Sequence, residues 1–370
     1  MLQQGHNGAD SQVTAPHATD SLEHRFAGVL LGTAVGDALG LPMEGLSPNR
    51  IGRRWQGPLK MRLFLGRGMI SDDTEHTLMV AQALLSHPDD PISFQRSFGW
   101  KLRWWFAALP GGVGLATAKA CLRLWVGFPA SRSGVVSGGS GPAMRSAILG
   151  AFFAGDSDKR RDFVIASTRV THRGWQAETS ALAIAEAAAL ATATAGWPDA
   201  RQVFARLGDL SKEIEWQARL TEMQQGLEAG HTVVDFARKI GLERGVTGYS
   251  LHVVPVALYA WLRHPNDFRA ALASAIECGG DTDTVGAITG ALCGAASGVE
   301  GIPVEWTSRI WEWPRSRQFM ARLASRLAAQ KASNAPLGSV QYFWPAQILR
   351  NILFLGIILA HGVRRLAPPY

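Results

Sequence analysis

The sequence predicts an all-α protein built around one helical domain, and three observations carry that reading. Alanine-rich apolar runs such as residues 178–195 (ETSALAIAEAAALATATA) favour helix, because alanine gives up no side-chain freedom there. The alternating Val/Ile/Thr patterns of half-buried strands are scarce throughout. Short polar connections separate the apolar stretches, and no repeat with a period of about 20 to 50 residues is present. With 370 residues, 47% of them hydrophobic and 18% charged, the chain can fill a sizeable core and is not of disordered type.

Taken in order, residues 1–21 are polar, lack the apolar segment of a secretion signal, and are expected to form a disordered leader. A first helix is expected from about Glu23 to Leu41, stopped by Pro42. A basic loop then runs to Arg67; Arg50 to Arg67 is a candidate lid or acceptor-selecting segment, or simply a surface loop. Helices are expected to begin near Ser71 and near Gly114, with a glycine- and serine-rich loop at residues 131–141 (SRSGVVSGGSG). Helical patterns resume at Pro142, at Asp162, in the alanine run, between residues 200 and 240, and over 251–263. The last core helix opens with residues 279–284 (GGDTDT), so that the main domain spans 22–325 and a tail spans 326–370.

Bulk charge excludes little but is informative in its distribution. Of the net +7, four charges fall in residues 331–370, which hold Lys331, Arg350, Arg364 and Arg365 and no acid. The body is nearly balanced, without the clustered basic stripe of a nucleic-acid binder. Cys121, Cys278 and Cys293 are odd in number and lack metal-site spacing, which fits a reducing, cytoplasmic setting; a monomer is expected.

Glycine recurs every four residues at Gly28, Gly32, Gly36 and Gly40, and again at Gly286, Gly290, Gly294 and Gly298. Each interior helical glycine costs about 1 kcal/mol relative to alanine, so a compensating contact is needed. Residues four apart form one ridge of a helix, and a ridge without side chains admits a second backbone. If the two ridges meet with the helices antiparallel, Glu44 comes close to Asp281 and Asp283. A membrane dimerisation face is the competing reading, which Asp37 and the shortness of both stretches oppose.

Two acidic clusters open helices: Ser71, Asp72 and Asp73 in residues 71–85 (SDDTEHTLMVAQALL), and Asp281, Asp283 and Thr284. Helix capping and the helix dipole account for one acid or hydroxyl at each start. They do not account for four aspartates. Converging carboxylates cannot all stay ionised without cations, and a set of Asp, Ser and Thr oxygens suits two Mg²⁺ or Mn²⁺ ions better than zinc.

The segments GVLLGTAVGDALGLPMEG, SDDTEHTLMV, SGGSGPAMRSAILG, THRGWQAETSALAIA and GGDTDTVGAITGALCGA, in this order over about residues 26–300, resemble the ADP-ribosylglycohydrolase family. The resemblance implies an all-helical orthogonal fold, a binuclear Mg²⁺ or Mn²⁺ centre, and hydrolysis of the bond between ADP-ribose and a modified acceptor. Matched residue by residue, it implies Ser71, Asp72 and Asp73 as one ligand triplet and Asp281, Asp283 and Thr284 as the other, with Asp283 as bridge. Glu44, Asp73 and Asp283 would carry the catalysis. Gly139, Ser140, Gly141 and Met144, with less weight on Arg145, would receive the diphosphate or ribose, and His172 would stand near the ribose. Asp37, within the first of these segments, would support the metal ligands from behind, and His76, four residues after Asp72 and so on the same helix face, is expected from that spacing alone to do the same. The alternatives are an idle ADP-ribose-binding or crystallin-like structural relative, and a metal phosphoesterase acting on a nucleotide.

The tail carries an uninterrupted apolar stretch from Ile352 to Ala360 between Arg350 and the pair Arg364 and Arg365. It is too short to cross a bilayer, which takes about 20 apolar residues. A packed C-terminal helix is one expectation; a peripheral contact with anionic lipid or a membrane-bound partner through residues 345–366 is the other.

Overall fold

A computed structural model describes residues 18 to 365 apart from 195 and 334, with side chains from Leu22 onward. The described chain is helical with no strand, as the composition requires. Eight helices position the site: α1 (Ala18–Gly40), α2 (Asp72–Ser86), α3 (Pro91–Ala107), α4 (Trp175–Thr194), α5 (Ser250–Arg263), α6 (Thr282–Ser297), α7 (Arg317–Ser333) and α8 (Pro345–Arg364).

The centre of the molecule is the antiparallel pair α1 and α6, and the glycine ridges are the reason they meet. A Cβ placed on Gly32 would lie 2.1 Å from the Gly290 carbonyl oxygen, and one on Gly36 would lie 1.9 Å from that of Gly286. At the next step a Cβ on Gly28 would lie 2.3 Å from the Gly294 carbonyl oxygen. No real Cβ tolerates such distances, so the two backbones approach as closely as they do only because six facing positions lack side chains. The Thr282 hydroxyl closes the end of the seam by donating to the Gly40 carbonyl at 2.8 Å. Gly298 does two things: it ends α6 with φ 71°, and its backbone still packs on the seam, since a Cβ on Gly28 would lie 2.8 Å from its carbonyl carbon.

From Phe26 to Gly40, where Thr33 and Asp37 are the only polar side chains, α1 is buried on every side, while Glu23, His24 and Arg25 before it reach the surface. α7 packs along it, and α4 and α5 pack on α6. All the alanines of α4 except Ala193 are buried with almost no exposure, and the Ala147–Phe152 helix presses Gly150 against the Ala185 carbonyl. A single large core results, from Phe26 to Val340.

Several boundaries differ from expectation. The first helix begins at Ala18, so residues 18–21 of the expected leader are helical, while 1–17 lie outside the described residues. α3 and the Phe268–Glu277 helix were not anticipated; both follow Asp caps, at Asp90 and Asp267, that accept from the first-turn amides. The helix expected at Asp162 starts at Ser157, capped by Asp156. α7 runs unbroken through residue 325 and buries Phe319, Met320, Leu323 and Leu327, so the division at 325/326 falls inside a core helix.

A carboxylate-lined cleft as the candidate active site

The two acidic helix starts come together. The Thr284 hydroxyl at the start of α6 donates to the Asp73 carboxylate at the start of α2, at 3.3 Å. α2 is held at this point by Asp37, which reaches across from α1 and accepts the Ser71 amide at 2.9 Å and the Thr74 amide at 3.2 Å. An aspartate in the last turn of α1 thus receives the N-terminus of α2, where the helix dipole favours a carboxylate. Asp37 is therefore bound up in structure and does not line the cleft. Ser71 divides its hydroxyl between two tasks, accepting from the Asp73 amide and donating to the Asp73 carboxylate at 3.0 Å.

Glu44 is delivered just beyond the same C-terminal end of α1. The helix tightens into the turn Leu41–Met43, Glu44 follows as its cap, and the Gly45 amide donates to the Gly280 carbonyl at 2.7 Å. Gly279 and Gly280 take φ of 67° and 76°, and a Cβ on Gly280 would lie 1.9 Å from the Val246 carbonyl oxygen. Only glycine permits this junction of three loops, which sets Asp281 opposite Glu44.

Glu44, Asp72, Asp73, Asp281, Asp283 and Thr284 line one wall of a cleft of about 300 Å³. Ser137, Gly139, Ser140, Gly141, Met144 and His172 line the facing wall. Every acid on the first wall is displaced the same way. Burial first, then neighbouring carboxylates, raises Asp72, Asp73 and Asp283 well above the usual carboxylate range. Asp281 is raised by burial, and Glu44, at the exposed mouth, by partial loss of water and by Asp281. Asp37 beneath them is pushed up to about 7, again by burial, against the hydrogen bonds from Thr74 and Ser71. Asp73 Oδ1 and Asp283 Oδ1 are buried without a hydrogen-bond partner. Unpartnered buried carboxylate oxygens are costly unless a cation completes them, so the donor set fits hard divalent ions. Among the described residues, no three Asp, Glu, His or Cys side chains converge tightly enough to chelate an ion unaided. The hydroxyls of Ser71 and Thr284 and water would have to complete each shell.

The glycine loop differs from the cradle expected of it. The Ser140 amide donates to the Gly248 carbonyl at 3.0 Å and the Gly139 amide to the Ser137 hydroxyl at 3.2 Å, so two of its donors are already spent. What the glycines supply is room. A Cβ on Gly139 would lie 2.9 Å from His172 Nε2, and one on Gly141 would lie 3.1 Å from His172 Cε1. His172 itself is buried, paired through Nδ1 with the Thr171 hydroxyl at 2.9 Å, and held neutral, with its pKa pushed down to about 3 by burial and by Arg145.

Two residues lie behind the cleft, not on it. Arg145 is fully buried and clamps the loop to the Ser157–Arg169 helix, donating to the Gly141 carbonyl at 3.0 Å, the Ser167 carbonyl at 3.1 Å and the Thr171 hydroxyl at 2.7 Å. His76 stands edge-on to Trp105 with 4.5 Å between ring centroids, next to Arg145, and burial drives its pKa well down. It supports packing below the cleft and does not face the acids. Gly112, Gly114, Leu115, Ala116, Thr117 and Gly248, which also line the cleft, were missed. The glycine-rich run GGVG at 111–114 was the available signal. No tryptophan, tyrosine or phenylalanine lines this cleft among the described residues.

Comparison with known proteins agrees with the order and geometry of these motifs. A family model described as ADP-ribosylglycohydrolase matches residues 18–336. An uncharacterised protein of Archaeoglobus fulgidus is 31% identical over 83% of this chain and 96% of its own length. The ADP-ribosyl-[dinitrogen reductase] glycohydrolase of Rhodospirillum rubrum is 26% identical, over 78% of this chain and 91% of its own. Among solved structures, an ADP-ribosylglycohydrolase-related protein complex superposes with a TM-score of 0.60 and 27% identity, over 84% of this chain and 99% of the other. With two acidic helix starts meeting over a glycine seam, and the match running through nearly the whole helical body, the chain belongs to the ADP-ribosylglycohydrolase family.

Proposed function

We propose that this protein hydrolyses the glycosidic bond between ADP-ribose and a modified acceptor, and that it does so with two Mg²⁺ or Mn²⁺ ions. One observation carries the reading: five acids share a small cleft in which two buried carboxylate oxygens have no partner. Ser71, Asp72, Asp73, Asp281, Asp283 and Thr284 would hold the ions, whose chemistry is to orient ribose hydroxyls and lower the pKa of bound water.

The residues of the chain do the rest. Asp73 and Asp283, at the base of the cleft, present negative charge where ribose C1 becomes oxocarbenium-like as the acceptor leaves. Glu44 stands at the mouth with a raised pKa, suited to hold a proton for the departing acceptor and to take one from the incoming water. Ser140 and Met144 bound the side where the diphosphate and ribose would lie. Neutral His172 offers a ring nitrogen without adding positive charge beside C1. The acceptor, whether arginine, serine or a small ADP-ribosyl compound, is read outside this cleft.

The test is release of ADP-ribose from ADP-ribosylated arginine and serine peptides, with Mg²⁺ or Mn²⁺ and after chelation, beside calorimetry with ADP-ribose. Metal-dependent release is expected from the wild type and not from Asp283→Ala. Tight ADP-ribose binding with no release from any peptide would instead favour the idle binding relative, and full activity after chelation would refute the metal assignment.

A further inference from the structure

The C-terminal helix α8 is inside out. Before its last residue, Arg364, its hydrogen-bonding side chains turn inward: Gln347 donates to Glu75 at 2.6 Å, Asn351 to the Ala108 carbonyl at 2.8 Å, Arg350 to Glu312 at 2.7 Å, and His361 pairs with the Leu63 carbonyl. Phe354 and Ile357 close the contact against Leu41, Leu63 and Met69. The outward face is a row of Leu349, Ile352, Leu355, Leu359 and Val363, each between 46% and 68% exposed. Between Pro345 and Val363 the single charged side chain, Arg350, is buried. An ordinary surface helix shows the reverse distribution, and a contiguous apolar face of this kind marks a contact surface.

We propose that α8 seats this protein on the surface of an anionic lipid bilayer. Charge selects the occupant. At the C-terminal end of the helix, Arg364 and Arg365 share a cavity of about 1060 Å³ with Arg50, Arg53, Arg54 and Arg62, and no acid lines it. At the N-terminal end Trp344 meets Trp104 edge-on at 5.4 Å, and Trp104 meets Trp125 at 5.9 Å. Trp104 and Trp125 are 40% and 47% exposed. Indole rings favour the headgroup level of a membrane, and arginines beside an apolar row favour anionic headgroups. A second copy docked through its own α8 would cover the leucines, but residues 331–370 hold no acid to meet the arginine cavity. The helix lies along the membrane and does not cross it, because crossing would break the Arg350–Glu312 pair and carry the guanidinium into hydrocarbon.

The docking face adjoins the cleft mouth. Arg365 donates to the Glu44 carbonyl at 2.7 Å and to the Pro42 carbonyl at 2.9 Å, and Asn351 holds the loop that leads to Gly112 and Gly114. Membrane seating would thus present the cleft to acceptors held near the lipid surface.

Co-sedimentation of the full chain with sucrose-loaded vesicles tests the proposal without reference to hydrolysis. Vesicles of phosphatidylcholine with phosphatidylglycerol should retain the protein, vesicles of phosphatidylcholine alone should retain far less, and salt at about 0.5 M should release it. Ile352→Ser with Leu359→Ser should lower the bound fraction about tenfold or more, with an unchanged thermal melt because both positions are exposed. Arg50→Glu with Arg53→Glu should remove the preference for anionic vesicles. The proposal is overturned if the wild type ignores anionic vesicles, if neutral vesicles bind it equally well, or if the serine variant binds undiminished. A dimer that the serine substitutions dissolve, with no vesicle binding, would assign the face to a second copy instead.

Discussion

Two groups of buried carboxylates meet on α2, where Glu75 follows Asp72 and Asp73 on the same helix, and they are treated in opposite ways. Glu75 and Glu312 belong to the first. Glu312 receives Arg350 through both oxygens, at 2.8 and 2.7 Å, together with the Ile70 amide at 3.3 Å and the Trp313 amide at 3.1 Å. Glu75 takes the Trp105 indole and Gln347, both at 2.6 Å, with Arg315 at 3.4 Å. Asp72, Asp73, Asp281 and Asp283 belong to the second, where among the described residues no arginine or lysine lines the cleft and two oxygens are left bare. A buried acid that serves the fold is surrounded by donors and a counter-charge. The cleft acids have a few hydroxyl donors, from Ser71 and Thr284 to Asp73, but no counter-charge lining the cleft beside them, which is the arrangement our proposed cation site requires.

The largest effect expected from this contrast is catalytic. Asp283→Ala should cut ADP-ribose release by about 10³-fold or more, on the order of 4 kcal/mol of transition-state stabilisation, while leaving the melting temperature unchanged or higher, since it relieves repulsion. Steady-state assays with parallel calorimetric melts separate the two; a variant that loses stability and keeps activity would reverse the assignment of roles.

At the donor-rich group the effect should fall on stability. Glu312→Ala leaves Arg350 charged and buried, at a cost of about 3 to 5 kcal/mol, readable by urea unfolding. Replacing both partners, Glu312→Leu with Arg350→Met, should recover most of that loss, because the desolvation of both charges disappears. A double variant no better than the single would mean that the ion pair itself, beyond mere satisfaction, holds α8.

The glycine seam beneath both groups gives a third comparison. Gly36→Ala puts a methyl 1.9 Å from the Gly286 carbonyl oxygen, and overpacking of this kind costs about 1 to 3 kcal/mol or more. Because Asp37 adjoins the site of strain, activity should fall with stability. The same substitution at exposed Gly52, where a Cβ meets nothing within 4 Å, should be neutral or stabilising.

The pH dependence sharpens the contrast at smaller amplitude. Asp37, Asp72, Asp73 and Asp283 all have folded pKa values raised above their unfolded ones. Groups raised in this way contribute stability that is present below the unfolded pKa, near 3.8, and lost as pH rises through the folded value, about 7 for Asp37. Without divalent cations the melting temperature should therefore decline between pH 4 and about pH 8. Added Mn²⁺ should restore more stability at pH 8 than at pH 5, where protons compete for the same oxygens. A cation-insensitive melt at both pH values would count against an ion in the cleft. The smallest effect is expected at Ser71→Ala, about 1 kcal/mol for a lost helix cap, accompanied by weakened metal stimulation if the hydroxyl is also a ligand.

How much of this was legible depended on whether the signal was local. The four-residue glycine period survived intact from sequence to seam, since a period on one helix face is a property of that helix alone. It even placed Glu44 beside Asp281, because antiparallel pairing follows from two matched ridges. The cleft acids were legible for a similar reason: each cluster opens a helix, and only the excess of acids over caps needed explaining. The role of Arg145 was not legible. A basic residue after a glycine loop looks like a phosphate ligand, and only the position of Ser167 and Thr171 shows that it braces the loop from inside. The free amides expected at Gly139 and Ser140 failed likewise, because their partners, Ser137 and Gly248, depend on how two loops meet.

The tail shows most plainly where sequence stops. Composition alone determined that residues 345–364 form an apolar helix with a basic C-terminal end, since twenty residues with a single internal charge permit little else. It did not determine which face is buried. That was decided by Glu75 and Glu312, two acids remote in the chain whose burial requires donors; Gln347 and Arg350 supply them, and the leucines are turned outward as a result. Satisfying a buried charge outweighs covering an aliphatic row, and that balance exists only once the chain has folded.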